Sequence, residues 1–130
     1  MTSVALVTIV VRDYDEAIAF YRDKIGFRVA DDTPLGAKRW VVLESPEGTG
    51  ARILLARASG EAQTARVGDQ TGGRVFMFLH TDDFDADFAA YTARGVNFVR
   101  PPRREAYGTV AVFTDLYGNL WDLIGSSQKV

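Results

Sequence analysis

The sequence predicts an α+β fold of two tandem β-α-β-β-β modules whose curved mixed sheets enclose a central cavity. Three observations carry this expectation. The segment Asp13-Tyr14-Asp15-Glu16-Ala17-Ile18-Ala19-Phe20-Tyr21 returns 70 positions later as Asp83-Phe84-Asp85-Ala86-Asp87-Phe88-Ala89-Ala90-Tyr91. The same shift carries Gly48, in Pro46-Glu47-Gly48, onto Gly118, in Tyr117-Gly118-Asn119. Finally, one helix per module can cover only one face of its sheet, so the other face must turn toward the second module. The chain therefore reads as one domain, 1–130, made of module one (about 1–58), a linker (about 59–73) and module two (about 74–130).

Each element has a local reason. Residues 4–11 are a continuous apolar and β-branched run, a buried strand. Asp13 caps the helix that follows, and Glu16 three residues on completes a capping box. Tyr14, Ile18, Tyr21 and Ile25 recur at helical spacing as one apolar face, and Gly26 closes the helix. Strands are expected at 27–30, 38–44 and 52–56, separated by turns with Pro34, Gly36, Pro46, Gly48 and Gly50. In module two, 74–80 forms the strand, and Asp83 caps a helix with the face Phe84, Phe88 and Tyr91, closed by Gly95. Strands follow at 96–100, 109–114 and 120–124, and the basic stretch 100–104 reads as a solvated loop. The linker is polar and Gly-containing, with a helical turn expected over 61–67.

Composition narrows the function. Apolar residues make up 47% of the 130 and charged residues 25%, the balance of a soluble globule. A net charge of −2 gives no electrostatic reason to bind nucleic acid or an anionic membrane. The sequence contains neither a membrane-length apolar run nor a signal-peptide pattern at Met1-Thr2-Ser3-Val4. With no cysteine there are no disulfides, no thiolate nucleophile and no Cys-based metal site, in keeping with a cytoplasmic protein.

Strand alternation nominates the binding residues. Val7, Ile9 and Val11 pack under the helix, which leaves Leu6, Thr8 and Val10 on the cavity face. Their counterparts 70 residues on are Phe76, Phe78 and His80, and the last strands add Arg52 and Asp122. Trp40 lines the same pocket, and Tyr107 forms its rim. His80, the single histidine, reads either as a general base or metal ligand or as a strand-end residue bonded to its surroundings. An apolar and aromatic wall suits an aromatic or hydrophobic small molecule.

Val11-Arg12-Asp13, Phe20-Tyr21, Gly26-Phe27 and the run from Phe113 to Leu123 (Phe-Thr-Asp-Leu-Tyr-Gly-Asn-Leu-Trp-Asp-Leu) resemble the vicinal-oxygen-chelate superfamily. That superfamily includes glyoxalase I, bleomycin-resistance proteins, fosfomycin-resistance enzymes and extradiol dioxygenases. The resemblance implies that metal-dependent members place ligands seven residues before the capping Asp and four after the turn Gly of each module. Here those positions hold Leu6, Phe76, Arg52 and Asp122. Only Asp122 has a metal-binding atom, and Arg52 repels a cation. His80 lies about 13 Å along the strand from Phe76 at ~3.3 Å per residue, too far to substitute. No metal or other cofactor is therefore expected. Arg52 and Asp122 are instead expected to pair as ions, within one chain or across a dimer.

Two functions stay open on this reading. One is a metal-free small-molecule binder of the glyoxalase/bleomycin-resistance type. The other is a lyase, isomerase or dioxygenase that uses a divalent metal or acid–base chemistry of His80 and Asp122. The resemblance and the edge strands also point to a homodimer.

Overall fold

The computed structural model describes residues 1–126. The chain forms two compact units, Met1–Val67 and a second beginning at Gly68. Unit one contains β1 (Leu6–Val11), α1 (Tyr14–Phe20), a π-helical turn (Tyr21–Ile25), β2 (Arg28–Leu35), β3 (Lys38–Glu44), β4 (Arg52–Arg57) and α2 (Gly60–Thr64). Unit two contains β5 (Val75–Thr81), α3 (Phe84–Ala93), β6 (Asn97–Glu105), β7 (Gly108–Thr114) and β8 (Leu120–Ser126). Each unit has one mixed four-stranded sheet, ordered β1-β4-β3-β2 and β5-β8-β7-β6. In each, the first strand runs parallel to the last and the other pairings are antiparallel. This is the α+β duplication expected from the repeat.

The caps behave as the sequence implies. The Asp13 carboxylate accepts from the Glu16 amide at 2.9 Å, and Asp83 accepts from Ala86 at 3.1 Å. In unit one the helix buries Tyr14, Ile18, Tyr21 and Ile25 against Ile9, Val11, Val41, Leu43, Ile53 and Leu55. The Arg39 amide donates to Tyr14 Oη at 3.3 Å, and its guanidinium lies 5.2 Å from the Tyr14 ring centroid. The same guanidinium binds Asp15 at 2.9 Å and Asp32 at 2.7 Å, which ties α1 to β2 and holds the Asp32 carboxyl below its usual range. In unit two, Tyr91 meets Phe113 edge-on at 5.8 Å, Phe113 stacks on Trp121 at 6.0 Å, and Phe88 meets Phe98 at 4.5 Å. Gly125 admits the helix closely, since a Cβ there would lie 2.7 Å from the Phe84 Cβ.

The two copies differ in two places. Gly26 is one residue farther from Asp13 than Gly95 is from Asp83. The extra residue is absorbed by the π-helical turn, the usual accommodation of a one-residue insertion in a helix. The β3–β4 turn has seven residues (45–51), whereas the β7–β8 turn has five (115–119). The copies are therefore offset by 70 in the strand that enters this turn (β3 to β7) and by 68 in the strand that leaves it (β4 to β8). The strand register shows the change: Thr8 lies beside Leu54, whereas Phe78 lies beside Asp122. Two edge strands run farther than expected, β2 through Pro34 to Leu35 and β6 through the basic stretch 100–104 expected as a loop. Pro101 and Pro102 fall within the register shift between Arg100 and Arg103 on the β6 edge strand, where a missing amide costs least.

The linker is more structured than a plain connector. Residues 60–64 form α2 in unit one. In unit two, Gly68 packs so closely on Tyr117 that a Cβ would lie 2.1 Å from its carbonyl oxygen, and the Gln70 amide donates to Asn119 Oδ1 at 3.3 Å.

Candidate functional site

In each sheet, the face turned away from its helix carries the candidate side chains. Cross-strand neighbours share a face, so the register defines rows. In unit one a row runs Thr8, Leu54, Val42 and Asp31 across β1, β4, β3 and β2. Leu6 and Arg52 are paired at one end of this face, and Val10 lies beside Ala56. Trp40, two residues from Val42 on β3, remains 38% exposed. In unit two the corresponding row runs Phe78, Asp122, Val112 and Arg100 across β5, β8, β7 and β6. The next row is His80, Ile124, Val110 and Arg103.

The second unit has the more distinctive chemistry. Phe78 is 62% exposed, although it sits in the middle of a strand. Beside it, Asp122 Oδ1 is shut off from solvent with no hydrogen-bond partner among the described residues. Burial pushes this carboxyl above the ordinary aspartate range, while Arg100 and then Arg103 act in the opposite direction. An open depression of about 500 Å³ is lined by Gly73, Arg74, Val75, Phe78 and Arg100. Phe78 is thus the candidate residue that this depression includes. Arg74, Val75 and Arg100 were missed from the sequence, because 74–75 open the expected strand 74–80 without a place on the cavity face and Arg100 opens the stretch 100–104 that reads as a solvated loop. Simple alternation would put Arg100 on the face of Phe98, which packs on Phe88 and Phe113, and the register shift between the two residues turns Arg100 to the opposite face.

The other candidates are placed as follows. Phe76 leaves the row because the β5 register shifts between Val75 and Met77, and its ring meets the buried Trp121 edge-on at 6.2 Å. His80 is exposed one row beyond Asp122, beside Ile124. Tyr107 is 60% exposed at the tip of the β6–β7 hairpin, outside the residues lining the depression. Arg52 has Glu44 as its acidic neighbour, Nη2 to Oε2 being 4.0 Å. Arg52 and Asp122, expected to pair with each other, thus each have their charged neighbours inside their own unit. The sequence pairing rested on a uniform shift of 70, and the shorter β7–β8 turn makes Leu54 the structural counterpart of Asp122.

This correction bears on metal binding. With Leu54 in place of Arg52, the positions that the resemblance assigns to ligands still offer one carboxylate among apolar side chains. Among the described residues, no three His, Asp or Glu side chains gather as a potential metal site. One carboxylate does not make the three- or four-donor set of a catalytic divalent ion.

The polar motif of the β7–β8 turn is structural. Asp115 and Asn119 are both buried. Asp115 accepts from the amides of Tyr117 at 2.9 Å and Asn119 at 3.0 Å, and from Asn119 Nδ2 at 2.8 Å. The motif fixes the turn that delivers Asp122 to its row.

The comparisons with known proteins agree with this architecture. A protein of Shewanella frigidimarina (strain NCIMB 400) is 51% identical over 129 residues, covering 98% of this chain and 96% of its own. The crystal structure of UcmS2 matches with a TM-score of 0.84 at 32% identity, covering 95% of this chain and 98% of its own. That of TnmS3, an antibiotic binding protein from Streptomyces sp. CB03234, matches with a TM-score of 0.78 at 29% identity and 98% coverage of both chains. The family model of the Glyoxalase/Bleomycin resistance protein/Dioxygenase superfamily matches residues 3–123. With its duplicated β-α-β-β-β units, the chain belongs to that superfamily.

Proposed function

We propose that the protein binds an aromatic or hydrophobic small molecule without a metal ion, on the helix-free faces of its sheets. The observation that carries this reading is Phe78, a mid-strand aromatic left 62% exposed over an open depression of about 500 Å³. Covering such a ring is worth about 1–2 kcal/mol through apolar burial alone. Stacking against a planar ligand adds about 0.5–1.5 kcal/mol. The exposed Trp40 on unit one supports the same reading, as do Leu6, Thr8 and Val10 on that face. The likeness to TnmS3, described as antibiotic binding, supports a natural-product-sized ligand. Arg52, His80 and Tyr107 belong to this proposal as further ligand contacts, and Phe76 as support for the wall.

A thermal-shift screen against planar aromatic and antibiotic compounds tests the reading. Hits should raise Tm in the native protein and lose most of their effect in Phe78→Ala. A screen without hits, or hits indifferent to Phe78, would count against it.

One observation favours a second reading, acid–base catalysis. Burial raises the affinity of Asp122 for its proton, and His80 lies on the same face one row away. Turnover of a bound hit, abolished in Asp122→Asn and His80→Gln, would establish it.

A further inference from the structure

The depression in unit two has a charge pattern that the reading above leaves unused. Several arginines of the chain have a carboxylate as ion-pair partner: Arg12 with Glu16, Arg22 with Asp23, Arg28 and Arg52 with Glu44, Arg39 with Asp15 and Asp32, and Arg103 with Glu105. Arg74 and Arg100 make no ion pair at contact distance among the described residues, although Arg100 lies near enough to Asp122 to favour its charged form, and both line the depression with Phe78. Asp122 lies in the row between Phe78 and Arg100, separated from Arg100 by Val112 on β7. Its Oδ1 is buried and accepts no hydrogen bond from the described residues.

We infer that the groove selects a planar aromatic monoanion, an arene carboxylate with an adjacent hydroxyl or N–H group. The ring lies on Phe78, the carboxylate takes the guanidinium of Arg100 or Arg74, and the hydroxyl or N–H donates to Asp122. This rests on the reading that Phe78 marks the ligand site. The chemistry follows from what the groove lacks. A guanidinium is a planar fork that binds a carboxylate through two parallel N–H donors. Asp122 as a whole is half-buried in the row between Phe78 and Arg100, so a donor on a ligand at the edge of the depression can meet the exposed part of its carboxyl group. The carboxylate of Asp122 also disfavours a second negative charge on the ligand, so a monoanion fits better than a dianion.

Isothermal titration calorimetry of the full chain with three probes tests the inference: 1-hydroxy-2-naphthoate, its neutral carboxamide and 1-methoxy-2-naphthoate. The acid should bind at least about tenfold more tightly than the carboxamide, a margin of the order of a charge-assisted hydrogen bond. It should exceed the methoxy acid by a similar factor. In Arg74→Gln/Arg100→Gln, whose altered side chains are exposed, the preference for acid over amide should fall below about threefold. Equal binding of acid and amide by the native protein would overturn the inference, as would full preference retained in the double variant. Phe78→Ala separates the two claims. If it weakens acid and amide alike while neither is preferred, the ligand site stands and the anion selection falls. If no probe binds, the selection falls, and the screen with neutral aromatics decides whether the site falls with it.

Discussion

Asp122 is the residue at which stability and binding pull apart. Its folded-state pKa is raised, chiefly by burial, from an ordinary value of 3.8. Between that value and the raised one, the folded chain holds more protons than the unfolded chain, so stability falls as pH rises through this window. Asp122→Asn should therefore raise Tm at pH 7 by about 1–4 °C, and the gain should vanish below about pH 4. Thermal unfolding of both proteins across pH checks this, and a variant less stable at pH 7 would contradict it. Asp115 behaves in the opposite way. It is buried and fully used, accepting from two backbone amides and from Asn119. Asp115→Ala should cost about 2–4 kcal/mol in chemical unfolding, because it strands those donors in the interior. At this scale the sequence was informative about identity and less so about surroundings. Asp13, Asp83, Gly26 and Gly95 announced their roles through local rules. The orphaned state of Asp122 depends on strands distant in sequence, and no local pattern records it.

At the scale of elements, Arg39 is the clearest link between helix and sheet. It joins Asp15 of α1 to Asp32 of β2 and covers the Tyr14 ring. Arg39→Ala should cost about 1–2 kcal/mol, combining two partly exposed ion pairs with a cation–π contact. Part of that loss should disappear in high salt, as denaturant titrations at two ionic strengths would show. Strand β3 was legible to the residue, since Lys38–Glu44 is bounded by turn residues and rich in β-branched side chains. Strand β6 was not, because prolines mark a loop unless the strand is known to be an edge. The repeat could be read from the helices, but its register after the turns could not. A two-residue difference between the turns, 45–51 against 115–119, shifts every later comparison and replaces Arg52 by Leu54 as the counterpart of Asp122. The slip in β5 that takes Phe76 out of its row is likewise a long-range feature, set by pairing with β8.

For the whole molecule, no helix among the described residues is long and apolar enough to cross a membrane. The sheet of each unit ends in β1 and β2 or in β5 and β6, edges of the kind that pairing with another chain can cover. We propose that such an edge pairs two copies of the chain, and light scattering should then give a mass near twice the 14.3 kDa of one chain. A monomer at micromolar concentration would remove that pairing and leave the ligand site of unit two intact.

The central claim is that this member of the superfamily holds its ligand by aromatic and polar side chains rather than through a metal. Its most direct test is a calorimetric titration of chelator-treated, metal-free protein with the strongest aromatic hit from the screen. The account predicts the same Kd, within about twofold, before and after metal removal and on adding nickel, zinc, iron or manganese. Loss of binding on chelation, restored by one of those ions in a one-to-one ratio, would contradict it.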